Sequence, residues 1–253
     1  MERPQYITGS IIAILMLLLS MPMGFSQSTN YSDSIYKAYS RGKMDKWLEI
    51  MNTCEKNVDQ NNSEEQFELL SYYYGYTAWL IGAEKYDTAE EYIDKSEELI
   101  DELLEESPEN ATLLAYKGAY IAFTIGISSL KAVYLGPKSM KYINKSIELD
   151  STNIQGNIEK GNSMYYRPSV FGGDKTEAIA YYIKAVESFE KQELVVNNWM
   201  YINTMTALGQ AYEATDQIQL AKLCYEKIIR IFPNFMWVEE ELYPDMLERH
   251  KLN

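Results

Sequence analysis

The sequence predicts an all-α protein: a right-handed α-solenoid of about five antiparallel helical hairpins with a C-terminal capping helix. The first observation behind this prediction is a glycine that recurs inside helix-like stretches, each followed by a small residue that opens a second helical pattern. The glycines are Gly75, Gly118, Gly161 and Gly209, spaced by 43, 43 and 48 residues. A period of this length is typical of stacked helical hairpins.

The second observation is the spacing of the aromatic residues. Tyr72, Tyr76 and Trp79 recur at helical intervals and lack the alternation that a strand would show. This spacing favours helices over strands.

The predicted helices can be placed in order along the chain. A short first hairpin turns at 41–43, between apolar positions in 35–39 and 47–51. The later helices are predicted at 67–81, 88–104, 111–130, 137–149, 154–166, 174–189, 196–214, 217–231 and 237–252. The predicted organisation is a polar lead and short hairpin at 27–63, helical repeats at 64–235 and a capping helix at 236–253.

Helix-start signals lie at the joints between paired helices. Capping boxes are predicted at Asp87, Asp174 and Asp216, where the first side chain accepts an amide hydrogen bond and the residue three positions on reaches back. Pro137 is predicted in the first turn of the second helix of the third hairpin. Because these helix-start signals occur separately at each predicted joint, they support the prediction of helical hairpins.

The fifth hairpin contains a characteristic set of residues at fixed spacing: Leu208, Gly209, Tyr212, Ala221, Tyr225 and Pro233. In these residues it resembles the tetratricopeptide repeat, whose pattern is L-G-x2-Y…A-x3-F…P. Earlier hairpins resemble the family less closely, so the resemblance covers roughly residues 65 to 235. The joint from Tyr165 to Asp174, which contains Phe171-Gly172-Gly173, is also similar to a joint in exported bacterial tetratricopeptide proteins.

The resemblance implies an inner groove lined by the first helix of each pair. Aligning the hairpins on their glycines places aromatic and amide side chains on that face. The predicted groove residues are Tyr72, Tyr76, Trp79, Phe123, Asn162, Tyr165, Tyr166, Gln210 and Glu213. Such a surface suits an extended peptide or an amphipathic small ligand. The alternative for each aromatic residue is packing between helices.

The joint from Tyr165 to Asp174 is a second candidate site. Gly172 and Gly173 are interpreted as structural, because they allow positive φ, and Asp174 as the cap of the next helix. Arg167 could hold an acidic group of a ligand at the groove mouth, or pair with a neighbouring glutamate.

The first 26 residues have the pattern of a secretory signal peptide. A charged start precedes an apolar run at 11–19, and Gly24-Phe25-Ser26 provides a small-x-small cleavage site. The run is too short to span a bilayer, although an uncleaved N-terminal anchor is an alternative. We therefore expect export to the periplasm or cell envelope of a Gram-negative bacterium, without stable membrane insertion after signal removal.

The net charge of the chain limits the classes of molecule that it is expected to bind. The formal net charge of −14 argues against binding nucleic acid or anionic headgroups, because phosphates are repelled. Cys54 and Cys224 lie in the first and last hairpins. We expect both to be buried free thiols, since the ends of an open solenoid are too far apart for a disulfide.

Groups that support catalysis are scarce in this sequence. His250 is the only histidine, no Cys/His cluster has metal-ligand spacing, and no glycine-rich loop for phosphates is present. We predict no catalytic residues, no metal site and no cofactor. The predicted function is a non-catalytic scaffold for a protein or peptide partner; the alternative is a small-molecule-binding component of a solute-uptake system, and an enzyme is a distant third.

Overall fold

The structure, a computed structural model, describes residues 31–252, which contain helices and no strand. The predicted signal peptide at 1–26 lies outside these residues. The helices are α1 (Tyr31–Ser40), α2 (Met44–Asn57), α3 (Ser63–Gly82), α4 (Tyr86–Glu106), α5 (Ala111–Ile127), α6 (Ala132–Leu149), α7 (Ile154–Tyr166), α8 (Lys175–Lys191), α9 (Trp199–Ala214), α10 (Ile218–Ile231) and α11 (Tyr243–His250). The all-α prediction and the five hairpins, α1–α2 to α9–α10, are confirmed.

The hairpins stack with their first helices side by side. Asn153 donates to Thr112 at 2.9 Å, which places the starts of α7 and α5 at the same end of the array. Ser139 on α6 donates to the Gly118 carbonyl of α5 at 2.7 Å, as expected for antiparallel partners. The array therefore has two edges. We call the edge with joints 41–43, 83–85, 128–131, 167–174 and 215–217 the front edge, and the opposite one the back edge.

In four of the five hairpins, an asparagine side chain caps the start of the first helix. The side-chain oxygens of Asn62, Asn110, Asn153 and Asn198 accept amide hydrogen bonds at the starts of α3, α5, α7 and α9. Each satisfies amides that have no partner inside the helix. This repeated cap lies on the back edge.

Three predicted helix starts need correction, whereas Asp174 caps α8 as predicted. α4 begins at Tyr86 after Lys85, so Asp87 lies inside the first turn. The residue before α10 is Gln217, and Asp216 has a φ of +61°, which belongs to the tight turn. α6 begins at Ala132, five residues before Pro137, so Pro137 lies inside the helix and, having no amide hydrogen, cannot donate to the carbonyl of Val133.

The periodic glycines let a large side chain of the paired helix approach the backbone. A Cβ on Gly118 would lie 2.6 Å from Ile143, and a Cβ on Gly161 or Gly209 would lie 2.6 Å from the ring of Tyr182 or Tyr225 respectively. Each glycine therefore sets the spacing between the two helices of its hairpin. The glycine of the second hairpin makes a different contact.

The first and fifth hairpins are in contact. The hydroxyl of Tyr39 on α1 donates to Asn203 on α9 at 2.8 Å, and its ring stacks on Phe235 at 5.3 Å between centroids. Cys54 and Cys224 are both buried and free, as expected. The argument that the two ends of the array are far apart is nevertheless corrected, because the array curves until α1 meets α9.

The C-terminal capping helix is present close to its predicted bounds, as a helical segment from Trp237 to His250. Residues 237–242 form a wider π-helical turn, which continues into α11. The hydroxyl of Tyr243 donates to Glu226 on α10 at 2.9 Å. None of the helices in 31–252 combines the length and apolar character needed to cross a membrane.

Candidate functional site

The middle of the inner face is filled by the protein's own aromatic rings. Tyr74 on α3 packs against Tyr116 and Phe123 of α5, with ring centroids 5.5 and 5.3 Å apart. It also lies 6.5 Å from the ring of Trp199, which is delivered from α9 by the closure of the array. No open groove passes between these rings.

Two predicted groove residues pack between helices. Tyr72 is 2% exposed and lies edge-on to Trp47 of α2, while its hydroxyl donates to Glu68. Tyr76 is 6% exposed and meets Tyr92 of α4 edge-on at 5.3 Å. The prediction that these rings are presented to a ligand is corrected: they face α2 and α4, so they belong to the core.

Trp79 and Phe123 lie near the front ends of their helices and are half-buried. The Lys85 ammonium lies 4.5 Å above the Trp79 ring, and Phe123 packs edge-on against Tyr120 at 5.5 Å. They surround the filled centre and do not form an open surface with the residues of α7.

A buried carboxyl group lies at the centre of the inner face. Glu159 on α7 is 3% exposed and accepts hydrogen bonds from Gln155 at 2.7 Å and Asn162 at 3.5 Å. The Tyr74 hydroxyl is a further partner. Asn162 also accepts from the Tyr182 hydroxyl at 2.8 Å, so this network joins α3, α7 and α8.

Burial raises the pKa of Glu159 to about 7, because no cation compensates for the water that the carboxylate has lost. The hydrogen bonds from Tyr74, Asn162 and Gln155 act in the opposite direction and lower that pKa. In turn, burial and the nearby Glu159 charge raise the pKa of Tyr74 well above its usual range. The centre is thus a tyrosine and amide network around a carboxyl that titrates near neutrality.

The front end of α7 is the accessible part of the predicted site. The rings of Tyr165 and Tyr166 meet edge-on at 4.8 Å, and the Lys175 ammonium lies 5.0 Å from the Tyr165 ring. Tyr166 is 73% exposed. In the joint that follows, Val170 and Phe171 are 84% and 65% exposed. We call Tyr165, Tyr166, Arg167, Val170 and Phe171 the joint surface.

Arg167 holds the joint in shape. Its guanidinium donates to Ser163 and to the Phe171 carbonyl, the latter at 3.4 Å. Within 31–252 it forms no ion pair with a glutamate, so of its two predicted roles the pairing is not observed. Gly172 has a φ of +86°, as predicted, whereas Gly173 is needed because a Cβ there would lie 1.8 Å from the Arg167 carbonyl oxygen.

The two predicted residues of α9 lie near the front end of that helix. Glu213 accepts from Arg249 at 2.9 Å and lies 3.2 Å from the His250 ring, so the capping helix holds it. Burial, and after it the nearby Glu213 charge, raise the pKa of Tyr165, so the front ends of α7 and α9 lie close together. Gln210 is half-buried.

Sequence reasoning missed Glu159. Its only signal was a charged residue in the first helix of a pair, flanked at helical spacing by the amides Gln155 and Asn162. A charge with amides on the same helical face suggests a buried polar network, since amides can satisfy a carboxyl without exposing it to water.

The cavities described for residues 31–252 lie away from the joint surface. One, of about 260 Å³, lies between α4 and the end of α5 and is lined by Glu90, Asp94, Thr124 and Lys131 together with Ile93 and Ile127. Another lies at the joint before α5. In the same residues no group of three or more His, Cys, Asp or Glu side chains is placed to hold a metal ion.

Comparison with known proteins identifies the fifth hairpin. Residues 202–235, which comprise most of α9 and all of α10, match the family model of the tetratricopeptide repeat. A search of the curated proteins gave no match. The family resemblance is therefore confirmed in this hairpin, which matches the tetratricopeptide repeat. Such repeats generally mediate protein–protein interaction and are typically non-catalytic, which supports a scaffold role.

Proposed function

We propose that this chain, whose fifth hairpin matches the tetratricopeptide repeat, is a non-catalytic interaction scaffold of the bacterial periplasm or cell envelope. It binds an extended segment of a protein partner on the joint surface. The observation that supports this location is the exposure of Tyr166, Val170 and Phe171 at one place on the front edge.

The joint surface has properties that favour a peptide segment. Tyr and Phe rings provide contact area at a low entropy cost, and the Tyr hydroxyls can bond to a peptide backbone. The joint is also ordered by its own bonds, since the Asp174 amide donates to the Met164 carbonyl at 2.9 Å and the Gly173 amide to the Pro168 carbonyl at 3.2 Å. A preorganised surface loses less entropy when a partner binds.

The packing of the aromatic rings argues against a binding site in the middle of the groove. A peptide lying there would have to displace the rings of Tyr74, Phe123 and Trp199, which pack on one another. The small-molecule alternative calls for a closed apolar pocket beside Tyr165 and Tyr166, and neither cavity described above lies there. A peptide segment on the front edge is the function that the geometry favours.

Site-specific cross-linking tests the binding surface. A photo-reactive residue replaces Tyr166 in one chain and Leu223 in another; Leu223 on α10 is 60% exposed and serves as the matched apolar control. We expect cross-linking of a defined protein from position 166 in cells of the source and none from 223. The purified partner should then bind wild type and Leu223→Ala alike, and the Tyr166→Ala, Phe171→Ala double variant at least tenfold more weakly. Equal binding by all three chains would overturn the proposed surface.

Export is tested separately. The sequence pattern at 1–26 supports it, and a full-length chain tagged at its C-terminus should fractionate with the cell envelope or periplasm. N-terminal sequencing of the recovered protein should begin at Gln27. Recovery of the intact chain from the cytoplasm would refute export without bearing on the joint surface.

A further inference from the structure

We infer that the front edge of the array also docks on an anionic lipid bilayer, through the exposed start of α6. This inference goes beyond the proposed partner binding and uses different residues. It concerns peripheral docking and not a membrane-spanning segment. The inference rests on three observations: projecting apolar side chains, unpaired lysines behind them, and a charge difference between the two edges.

The apolar side chains at the α5–α6 joint project into solvent. Leu130 and Val133 are 89% and 80% exposed, and the neighbouring Tyr134 is 64% exposed. Side chains this exposed form a convex apolar tip on the front edge. A convex apolar tip with a tyrosine matches the interface of a bilayer, into which amphipathic elements insert several ångströms.

Lysines follow this tip along one face of α6. Lys138 and Lys141 are exposed and three positions apart, about 8 and 12 Å along the helix from Val133. Neither takes part in an ion pair within 31–252. At these distances Lys138 and Lys141 reach the lipid headgroups when the apolar tip inserts into the bilayer interface. Lys131 is less available, since it lines a cavity with Glu90 and Asp94.

The sequence around this face differs sharply from the rest of the chain. Residues 111–147 contain five lysines and no aspartate or glutamate, in a chain whose net charge is −14. Opposing charges elsewhere are screened over about 8 Å at physiological salt. Local charge, and not net charge, therefore decides whether this face meets phosphates.

The two edges of the array also differ in charge. The front-edge joints contain five basic and three acidic side chains. The back-edge joints, at 58–62, 107–110, 150–153, 192–198 and 232–236, contain four acidic and no basic side chains. Anionic lipid would thus attract the front edge and repel the back edge, which orients the molecule with α6 toward the membrane.

Vesicle binding by the full-length chain tests the inference. An environment-sensitive thiol label is placed at Val133→Cys or, as the control, at Leu223→Cys; the native thiols are buried. We expect the label at 133 to shift its emission to the blue with phosphatidylglycerol vesicles and not with phosphatidylcholine vesicles. The label at 223 should shift with neither. No shift at 133, or equal shifts at both positions, would overturn the docking site.

A charge-matched pair of variants tests the role of the lysines. Lys138→Gln with Lys141→Gln should weaken the response of the label at 133 to phosphatidylglycerol about 30-fold, from about fivefold per lysine. Lys56→Gln with Lys191→Gln removes the same charge from the back ends of α2 and α8 and should leave the response unchanged. Equal effects of the two pairs would overturn the inference. Retained binding of a protein partner by Lys138→Gln with Lys141→Gln separates this site from the joint surface.

Discussion

Trp199 of the fifth hairpin packs its ring directly on Gly75 of the second. A Cβ built on Gly75 would lie 2.7 Å from the Trp199 ring and 2.8 Å from the ring of Trp47, which comes from the first hairpin. The two tryptophan rings meet edge-on at 5.0 Å. In the later hairpins the corresponding glycine sets the spacing between the two paired helices. Gly75 instead lies where the first, second and fifth hairpins meet and the array closes.

Gly75→Ala should therefore destabilise the protein. Adding a methyl group forces two rigid indole rings apart, which typically costs about 1–3 kcal/mol in a packed core. The higher helix propensity of alanine offsets about 1 kcal/mol of this. Chemical denaturation should show a net loss of about 1 kcal/mol, and at most about 2 kcal/mol, in the free energy of unfolding.

Gly82→Ala is the control in the same helix. A Cβ on Gly82 meets no atom within 4 Å, so we expect this change to leave stability equal or slightly higher. If the two alanine variants unfold alike, the contact between Gly75 and Trp199 does not limit the packing.

The contact between the first and fifth hairpins also predicts that the stability of the first hairpin depends on Tyr39. Its ring touches Trp47 at 5.9 Å and Trp199 at 5.8 Å, besides stacking on Phe235. Tyr39→Ala should cost about 3–5 kcal/mol and raise amide exchange across α1 and α2, because these helices lose their hold on α9.

Tyr39→Phe isolates the hydrogen bond. It keeps the ring contacts and removes only the bond from the hydroxyl to Asn203, so its cost should be about 1 kcal/mol. Exchange protection of α1 that survives Tyr39→Ala would show that the first hairpin is held by other contacts.

The local repeat of the fold was predictable from the sequence, whereas its closure was not. Helical spacing and the periodic glycines give five hairpins, because each hairpin is set by contacts between two helices adjacent in sequence, such as that between Gly209 and Tyr225. The contact between Trp199 and Gly75 depends on the curvature summed over several repeats, which no local pattern encodes. The predicted groove failed at Tyr72 and Tyr76 for a different reason: aligning the hairpins on their glycines does not show which side of α3 packs against α2 and α4.

Gly173→Ala should disturb the joint surface. Its Cβ would meet the Arg167 carbonyl oxygen at 1.8 Å, so the backbone of 167–174 must move and Asp174 must leave its capping position. We expect a loss of about 3 kcal/mol in the free energy of unfolding. Amide exchange in 167–174 should rise with it.

Gly136→Ala provides the comparison, since a Cβ on Gly136 meets nothing within 4 Å and α6 is helical there. It should be neutral or stabilising by up to about 1 kcal/mol. Unchanged exchange at 167–174 in Gly173→Ala would show that the joint adapts to a side chain.

Glu159→Gln should remove a pH dependence from the stability of the protein. Below pH about 4.5 the carboxyl is protonated in both states. As pH rises, the unfolded chain ionises first while the folded protein, with a pKa of about 7, keeps its proton. The free energy of unfolding that Glu159 contributes is therefore lost as the pH rises from about 4.5 to about 7. The total loss is on the order of 3 kcal/mol. The advantage of Glu159→Gln over wild type in the free energy of unfolding should increase by that order between pH 5 and 8.

Glu190→Gln is the appropriate control for this titration. The hydrogen bond from Lys227 lowers the pKa of Glu190, so between pH 5 and 8 this group is ionised in the folded protein and largely ionised in the unfolded chain. Its removal should change stability by the same amount at pH 5 and pH 8. A difference between wild type and Glu159→Gln that also stays constant would mean that Glu159 is ionised in the folded protein at pH 5, and that its tyrosine and amide partners compensate fully for its burial.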